Sequence, residues 1–169
     1  MNDFEITKHL YFIKPFTSND AFEIRKMIKE LADYEKLGSQ MILTEEDVKN
    51  HIDIGILKGF IVVSQENSNE IIGMLLYYIA YSSWKGPFYF IEDIYVKDKY
   101  RKYNIGSKLF YEVIKLAKKN NIKKISWNVL KWNIPAINFY KKMGAENLTE
   151  TEDRQVFNLN EIDIENFKL

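Results

Sequence analysis

Between Gly59 and Val96 three apolar runs, "GFIVVSQ", "EIIGMLLYYIAY" and "PFYFIEDIYV", follow one another with only short polar breaks. Runs of this length, rich in Ile, Val, Tyr and Phe and bounded by turn residues, are strands, and neighbours joined by short turns pair antiparallel. The rule then changes. "IGSKLFYEVIKLAKKN" carries Leu109, Phe110, Val113, Ile114 and Ala117 on one helical stripe, and "IKKISWNVL" returns to a strand. A strand–helix–strand succession is a crossover that adds a parallel strand. An antiparallel run ending in such a crossover dictates a mixed sheet with helices on both faces.

The flanking segments supply those helices. "LYFIKPF" reads as a first strand ended near Pro15. "SNDAFEIRKMIKELADYEK" has an Asn/Asp start signal and apolar residues at Phe22, Ile24, Met27, Ile28 and Leu31. Thr44 is the expected N-cap of "TEEDVKNHIDIGIL", with acids in the first turn. "NIPAINFYKKMG" is a short helix capped by Asn133, with Pro135 in its first turn and Gly144 as its stop. "RQVFNLN" is expected to add a last strand. The predicted order is β-α-α-β-β-β-α-β-α-β, an α/β (α+β) fold. No repeat or linker divides the chain, so residues 1–169 read as a single domain.

Composition narrows the function. The chain has 24 Lys plus Arg against 24 Asp plus Glu, so no basic field points to nucleic acid. The absence of cysteine excludes disulfides, thiolate metal sites and a cysteine nucleophile. His9 and His51 sit in polar segments, and no metal site is expected. Acids near the N-terminus argue against a signal peptide, and no run approaches the ~20 apolar residues of a membrane span. The expectation is a soluble, cytoplasmic protein.

Three stretches bear on chemistry. "RKYNIG", Arg101–Gly106, joins a strand to a helix N-terminus, where unpaired N–H groups and the positive end of the dipole suit a phosphate. Arg101 and Lys102 add charge, Gly106 permits close approach, and Asn104 tolerates a left-handed φ. An ordinary solvated connection would look the same. Asn133 and Tyr140 are two helical turns apart, ~10 Å along one face, which suits two contacts along an extended ligand. A tyrosine hydroxyl at a pocket can donate a proton, although Asn133 is already explained as a cap and Tyr140 could be a packed aromatic. Glu92 and Asp93 interrupt a strongly apolar strand; alternation puts them on opposite faces, and burial would raise either pKa toward that of a general base. A salt bridge to one of the lysines is the alternative for each.

Taken together, "EDIYVKDKYRKYNIGSKLF", "NFYKKMGA" and the strand order resemble the GNAT superfamily of acetyl-CoA-dependent N-acetyltransferases, whose signature is R/Q-x-x-G-x-G/A. "IKELADYEK", "ILTEEDV", "YYIAYSSWKGPFYFIEDIYV" and "WNIPAINFYKKMGAENLTE" look like its diamine (spermidine/spermine) branch, which includes thialysine acetyltransferases. That resemblance runs from about Tyr11.

The resemblance implies a sheet splayed between two central strands, with acetyl-CoA as cosubstrate. It places backbone groups of Ile94, Tyr95 and Val96 along the acetyl-pantetheine arm. The pyrophosphate falls to Arg101 and the amides of Lys102, Tyr103, Asn104, Ile105, Gly106 and Ser107. Asn133 would contact the cofactor arm, Tyr140 would protonate the departing thiolate, and Glu92 would take the proton from the amine. Trp84, Asp93 and Glu152 match positions that shape the amine site, where acidity around Glu150, Glu152 and Asp153 would suit a cation. The implied partners are a small-molecule amine and a second copy in a homodimer, with no nucleic acid or membrane. Two positions depart from the family: Asn104 replaces the first glycine, and Ser82 stands where polyamine-specific enzymes carry an aspartate. The expected function is acetyl transfer to a primary amine of a small polyamine or diamine-like substrate. The alternatives are thialysine or another small amine, a protein N-terminus or lysine, and a catalytically weak acyl-CoA-binding protein.

Overall fold

The computed structural model describes residues 11–66, 69–101, 103–152 and 156–167. They fall into two compact units divided after Asn128. Leu10, His9 and the centre of the "ENSN" turn lie outside the described residues, as do Lys102, Asp153, Arg154 and Gln155.

The first unit is built on a five-stranded sheet whose spatial order follows the chain: β1 (Tyr11–Pro15), β2 (Lys58–Ser64), β3 (Ile71–Ser82), β4 (Gly86–Val96) and β5 (Ile125–Trp127). β1 to β4 pair antiparallel, and β5 joins β4 in parallel, the expected meander followed by a crossover. Pro15 ends the edge strand, where a residue without an N–H is tolerated.

Three helices cover the sheet: α1 (Ala21–Tyr34), α2 (Glu45–Asp53) and α3 (Ile105–Lys119). Thr44 caps α2 as expected: its hydroxyl accepts from Asp47 N at 3.1 Å, and the Asp47 carboxylate accepts from Thr44 N at 2.8 Å. On one face, Ile24 and Met27 of α1 and Val48 of α2 pack with Ile61, Val63, Met74, Leu76 and Tyr95. The alternate strand residues, Val62 and Leu75 among them, point the other way, where α3 lies on β2, β3 and β4 with Leu109, Phe110 and Val113 buried. Each fully buried Leu or Ile contributes roughly 1.5–3 kcal/mol, so the two layers fix the helices on both sides. Phe22 departs from the expected stripe. It is exposed, and Ala21 takes the buried position at the start of the helix.

Gly59 marks a close approach of β2 to β3. A Cβ there would lie 1.9 Å from the Leu75 carbonyl oxygen.

β5 is shorter than "IKKISWNVL" suggested, stopping at Trp127. Among the described residues it is the last strand of the sheet, beside β4.

The second unit holds α4 (Ile134–Lys142), α5 (Leu148–Thr151) and α6 (Glu161–Glu165). Asn133 caps α4 by accepting from Ala136 N at 3.3 Å, and Gly144 ends it at φ +83°. The last strand expected from "RQVFNLN" is absent over Val156–Asn160. Val156 and Phe157 stay exposed there, and Asn160 becomes a helix cap instead, exchanging hydrogen bonds of 3.2 and 3.1 Å with Asp163.

Candidate active site

The site begins where β5 ends. β5 pairs with β4 only at Tyr89, Phe90 and Ile91. The next residue, Glu92, is a β-bulge: Tyr77 of β3 sits opposite Ile91 and Leu76 opposite Asp93. One extra residue reverses which backbone groups face which neighbour. Before the bulge Tyr89 N donates to Lys124 O at 3.2 Å, toward β5; after it Lys97 N donates to Ile72 O at 3.0 Å, toward β3. Ile94 and Val96, out of phase with Lys97, therefore turn their N–H and C=O groups to the side that β5 has left. Tyr95 between them turns its backbone to β3. Its ring lies in the α1 layer, where burial and the Glu30 carboxylate that accepts from its hydroxyl push the pKa up to about 12.

The bulge also overturns the expected separation of the two carboxylates, because period-two alternation stops at Glu92. The pair are close enough to act on each other. Asp93 is half-buried, and burial, reinforced by the charges of Glu92 and of Glu35 at the end of α1, pushes its pKa up to about 7. Among the described residues Asp93 pairs with no cation and accepts from no hydrogen-bond donor. Glu92 is exposed beside Tyr78, whose pKa is raised first by burial and then by the Glu92 charge.

Beyond β4 the chain makes a 3-10 turn, Asp98–Tyr100, and enters α3 through Asn104 at φ 59°, ψ 15°. The left-handed conformation expected of this asparagine is the one it adopts. Lys108 N donates to Asn104 O at 3.1 Å, so the N–H groups of Ile105, Gly106 and Ser107 lie at the open positive end of the helix. The Ile105 side chain is buried and anchors that end in the core.

A second anchor is Glu70, which accepts from Lys97 Nζ and Lys99 Nζ at 3.1 Å each and from the Tyr100 hydroxyl at 2.9 Å. Burial pushes its pKa up, but these donors outweigh it and hold the carboxyl at about 2. Arg101 donates from Nε to Val96 O at 3.0 Å and pairs with Asp98 at 2.8 Å.

The other candidates lie elsewhere. Trp84 is at the β3–β4 turn, six or more strand residues and so at least roughly 20 Å from Glu92. Ser82 holds that turn, its hydroxyl accepting from Trp84 N at 3.3 Å and Lys85 N at 3.2 Å. Asn133, Tyr140 and Glu152 belong to the second unit. Tyr140 is half-buried with its ring 5.3 Å from Phe139, and Glu152 follows the last residue of α5. Within the first unit the structure thus brings together Glu92, Asp93, the β4 edge and the loop. It adds Glu35, which nothing in the sequence singled out. Among the described residues no group of three or more His, Asp or Glu is arranged to hold a metal.

A parallel strand pair that ends after three residues, a bulged carboxylate strand and a helix N-terminus beyond it belong to a mixed α/β fold. Comparison with known proteins makes this specific. The model of the "Acetyltransferase (GNAT) family" matches residues 25–145, and the chain belongs to that family. A thialysine N-epsilon-acetyltransferase of Caenorhabditis elegans is 33% identical over 151 residues, covering 89% of this chain and 92% of the relative. A human spermidine/spermine N(1)-acetyltransferase-like protein 1 is 28% identical over 157 residues, 89% of this chain and 23% of the relative. The solved aminoglycoside N-acetyltransferase AAC(6')-Iy, in complex with CoA, superposes with a TM-score of 0.68 at 15% identity, covering 90% of this chain and 96% of that one. The chain is an N-acetyltransferase of the GNAT type.

Proposed function

We propose that this chain moves the acetyl group of acetyl-CoA to a primary amine of a small diamine- or polyamine-like substrate. The observation that carries the proposal is Asp93: a half-buried carboxylate that meets no cation among the described residues, at a strand edge that also offers the backbone of Ile94 and Val96.

The residues fit acetyl-CoA. Asn104, which stands where the family signature has a glycine, takes a left-handed conformation that glycine adopts freely, and the N–H groups of Ile105, Gly106 and Ser107 suit a pyrophosphate. Tyr103 belongs to the same loop, and by the family resemblance Asn133 would meet the pantetheine arm. Acetyl-CoA supplies an acyl thioester already activated toward an amine. The β4 edge would hold that group by hydrogen bonds from the N–H groups of Ile94 and Val96. The Glu92–Asp93 pair takes the proton from the substrate ammonium, with Asp93 the member that titrates near neutrality. By the family resemblance the Tyr140 hydroxyl would give a proton to the departing sulfur.

Asp93 and Glu92 make the amine site acidic, as a second positive charge on the substrate requires, and by the family resemblance Glu152 would add to them. A smaller, amino-acid-like amine such as thialysine is the second reading, favoured by Ser82, an uncharged turn residue here, and by the activity named for the Caenorhabditis elegans relative. We further propose that residues 1–169 work as a single domain in the cytoplasm, and as a homodimer. The distance of Trp84 from Glu92 within one chain supports a place for its hairpin in a partner's site.

Initial rates of acetylation of spermidine, putrescine, thialysine and lysine, with wild type and Glu92→Gln, test the function. A graded preference that collapses in the variant is expected. Negligible rates on all four would reject the substrate class.

A further inference from the structure

We infer that Arg101 is a positioning residue for the thioester end of the acyl donor, acting through the Val96 carbonyl, and is not a ligand of the phosphates. The inference rests on the acetyl-CoA reading. An arginine at the mouth of a phosphate-binding loop invites the opposite assignment, but two of its three guanidinium nitrogens already have partners. Nε donates to Val96 O at 3.0 Å. Nη2 pairs with Asp98 Oδ1 at 2.8 Å. Its central carbon lies 5.3 Å from the centre of the Tyr34 ring and 5.8 Å from that of Tyr95.

The direction of the first bond matters most. Across a trans peptide the carbonyl of one residue and the N–H of the next point opposite ways. Lys97 N points to β3, where it donates to Ile72 O at 3.0 Å, so the Val96 carbonyl points to the side that β5 has left. Arg101 occupies that carbonyl. It closes the open edge at its far end and leaves the N–H of Val96 and both backbone groups of Ile94 as the edge's remaining partners. Asp98 is largely exposed, 80% by side chain, and such a pair alone contributes about 0–1 kcal/mol. The ring contacts add specificity: Tyr34 ends α1 and Tyr95 lies in β4, so one planar fork ties a helix end to the strand that presents the edge. A lysine offers no such fork.

The test compares two acyl donors, acetyl-CoA and S-acetyl-pantetheine, which shares the thioester and arm but carries no phosphate. Rates are measured on the full chain for wild type, Arg101→Met and Arg101→Lys. They are expressed per CoA-binding site counted by calorimetry, so that an unfolded fraction does not enter. Displacement of the edge by an ångström costs on the order of 10- to 100-fold in rate. The expected result is a loss of that size in kcat with both donors equally, in both variants, with lysine giving no rescue. A loss confined to acetyl-CoA and restored by lysine would make Arg101 a phosphate ligand and overturn the inference. So would unchanged rates on both donors, or a variant that no longer binds CoA. If wild type neither binds CoA nor uses either donor, the acetyl-CoA reading itself fails and takes this inference with it.

Discussion

Replacing Asp93 with asparagine should make the protein's stability less dependent on pH, by an amount the site geometry sets. Asp93 has an ordinary pKa of 3.8 and is raised to about 7 in the fold by burial, then by Glu92 and Glu35. Between those values the folded chain binds a proton that the unfolded chain has released. Stability therefore falls as pH rises, by about 1.4 kcal/mol per pH unit. The stabilisation is fully present below pH 3.8 and gone above pH 7, a total of up to about 4 kcal/mol, reduced by whatever water still reaches the half-buried carboxyl. Asparagine carries no such dependence. Its amide has no ready partner among the described residues and costs a roughly constant 1–3 kcal/mol, which cancels when the wild-type-minus-variant difference is followed across pH. Urea denaturation of both proteins from pH 4 to pH 8 measures that difference. The variant should gain on wild type steadily through the window, and kcat/KM of wild type should show a limb near pH 7 that the variant lacks. A stability difference that stays flat across the window would refute the placement of Asp93 as an uncompensated carboxylate.

The remaining expectations follow from single groups. Tyr140→Phe should lower kcat by roughly 10²-fold or more while leaving amine binding intact; full turnover across pH would remove the proton-donor role. Asn104→Gly should preserve CoA affinity, measured by calorimetry, because glycine adopts φ 59° freely, whereas Asn104→Val should destabilise the chain by about 1–2 kcal/mol and weaken CoA binding. A fall in affinity with glycine would show that the asparagine side chain has a role of its own. Glu70 is a depressed carboxylate, ordinarily 4.5 and held at about 2, so its contribution is present above pH 4.5 and lost as pH falls toward 2. Glu70→Gln should flatten that acid limb in a denaturation series, and an unchanged limb would count against the Lys97–Lys99–Tyr100 network.

Much of the fold could be read from local rules because each rule had one physical outcome. Thr44 with Asp47 three residues on makes a capping box wherever it sits, and Asn104 took the left-handed turn because few other side chains can. Ile24, Met27, Leu109 and Val113 were placed by period alone. Where a partner decides the outcome, the rules fell short. Phe22 fits the stripe but faces out, since a one-residue shift at the helix start puts Ala21 against the sheet. Val156 and Phe157 favour strands but pair with none.

The carboxylates of β4 mark the limit most sharply. Alternation is a property of an unbroken ladder, and whether the ladder breaks is settled by the register on β3, which "FYFIEDIYV" does not contain. With the bulge at Glu92, two consequences follow from one inserted residue. The carboxylates become electrostatic neighbours, which adds to the burial that lifts Asp93 toward neutrality, and Ile94 and Val96 come round to face the opening. A strand without the bulge would keep both carboxylates and lose both consequences. The chemistry of the site therefore depends on a backbone irregularity as much as on the acidic side chains that first drew notice to it.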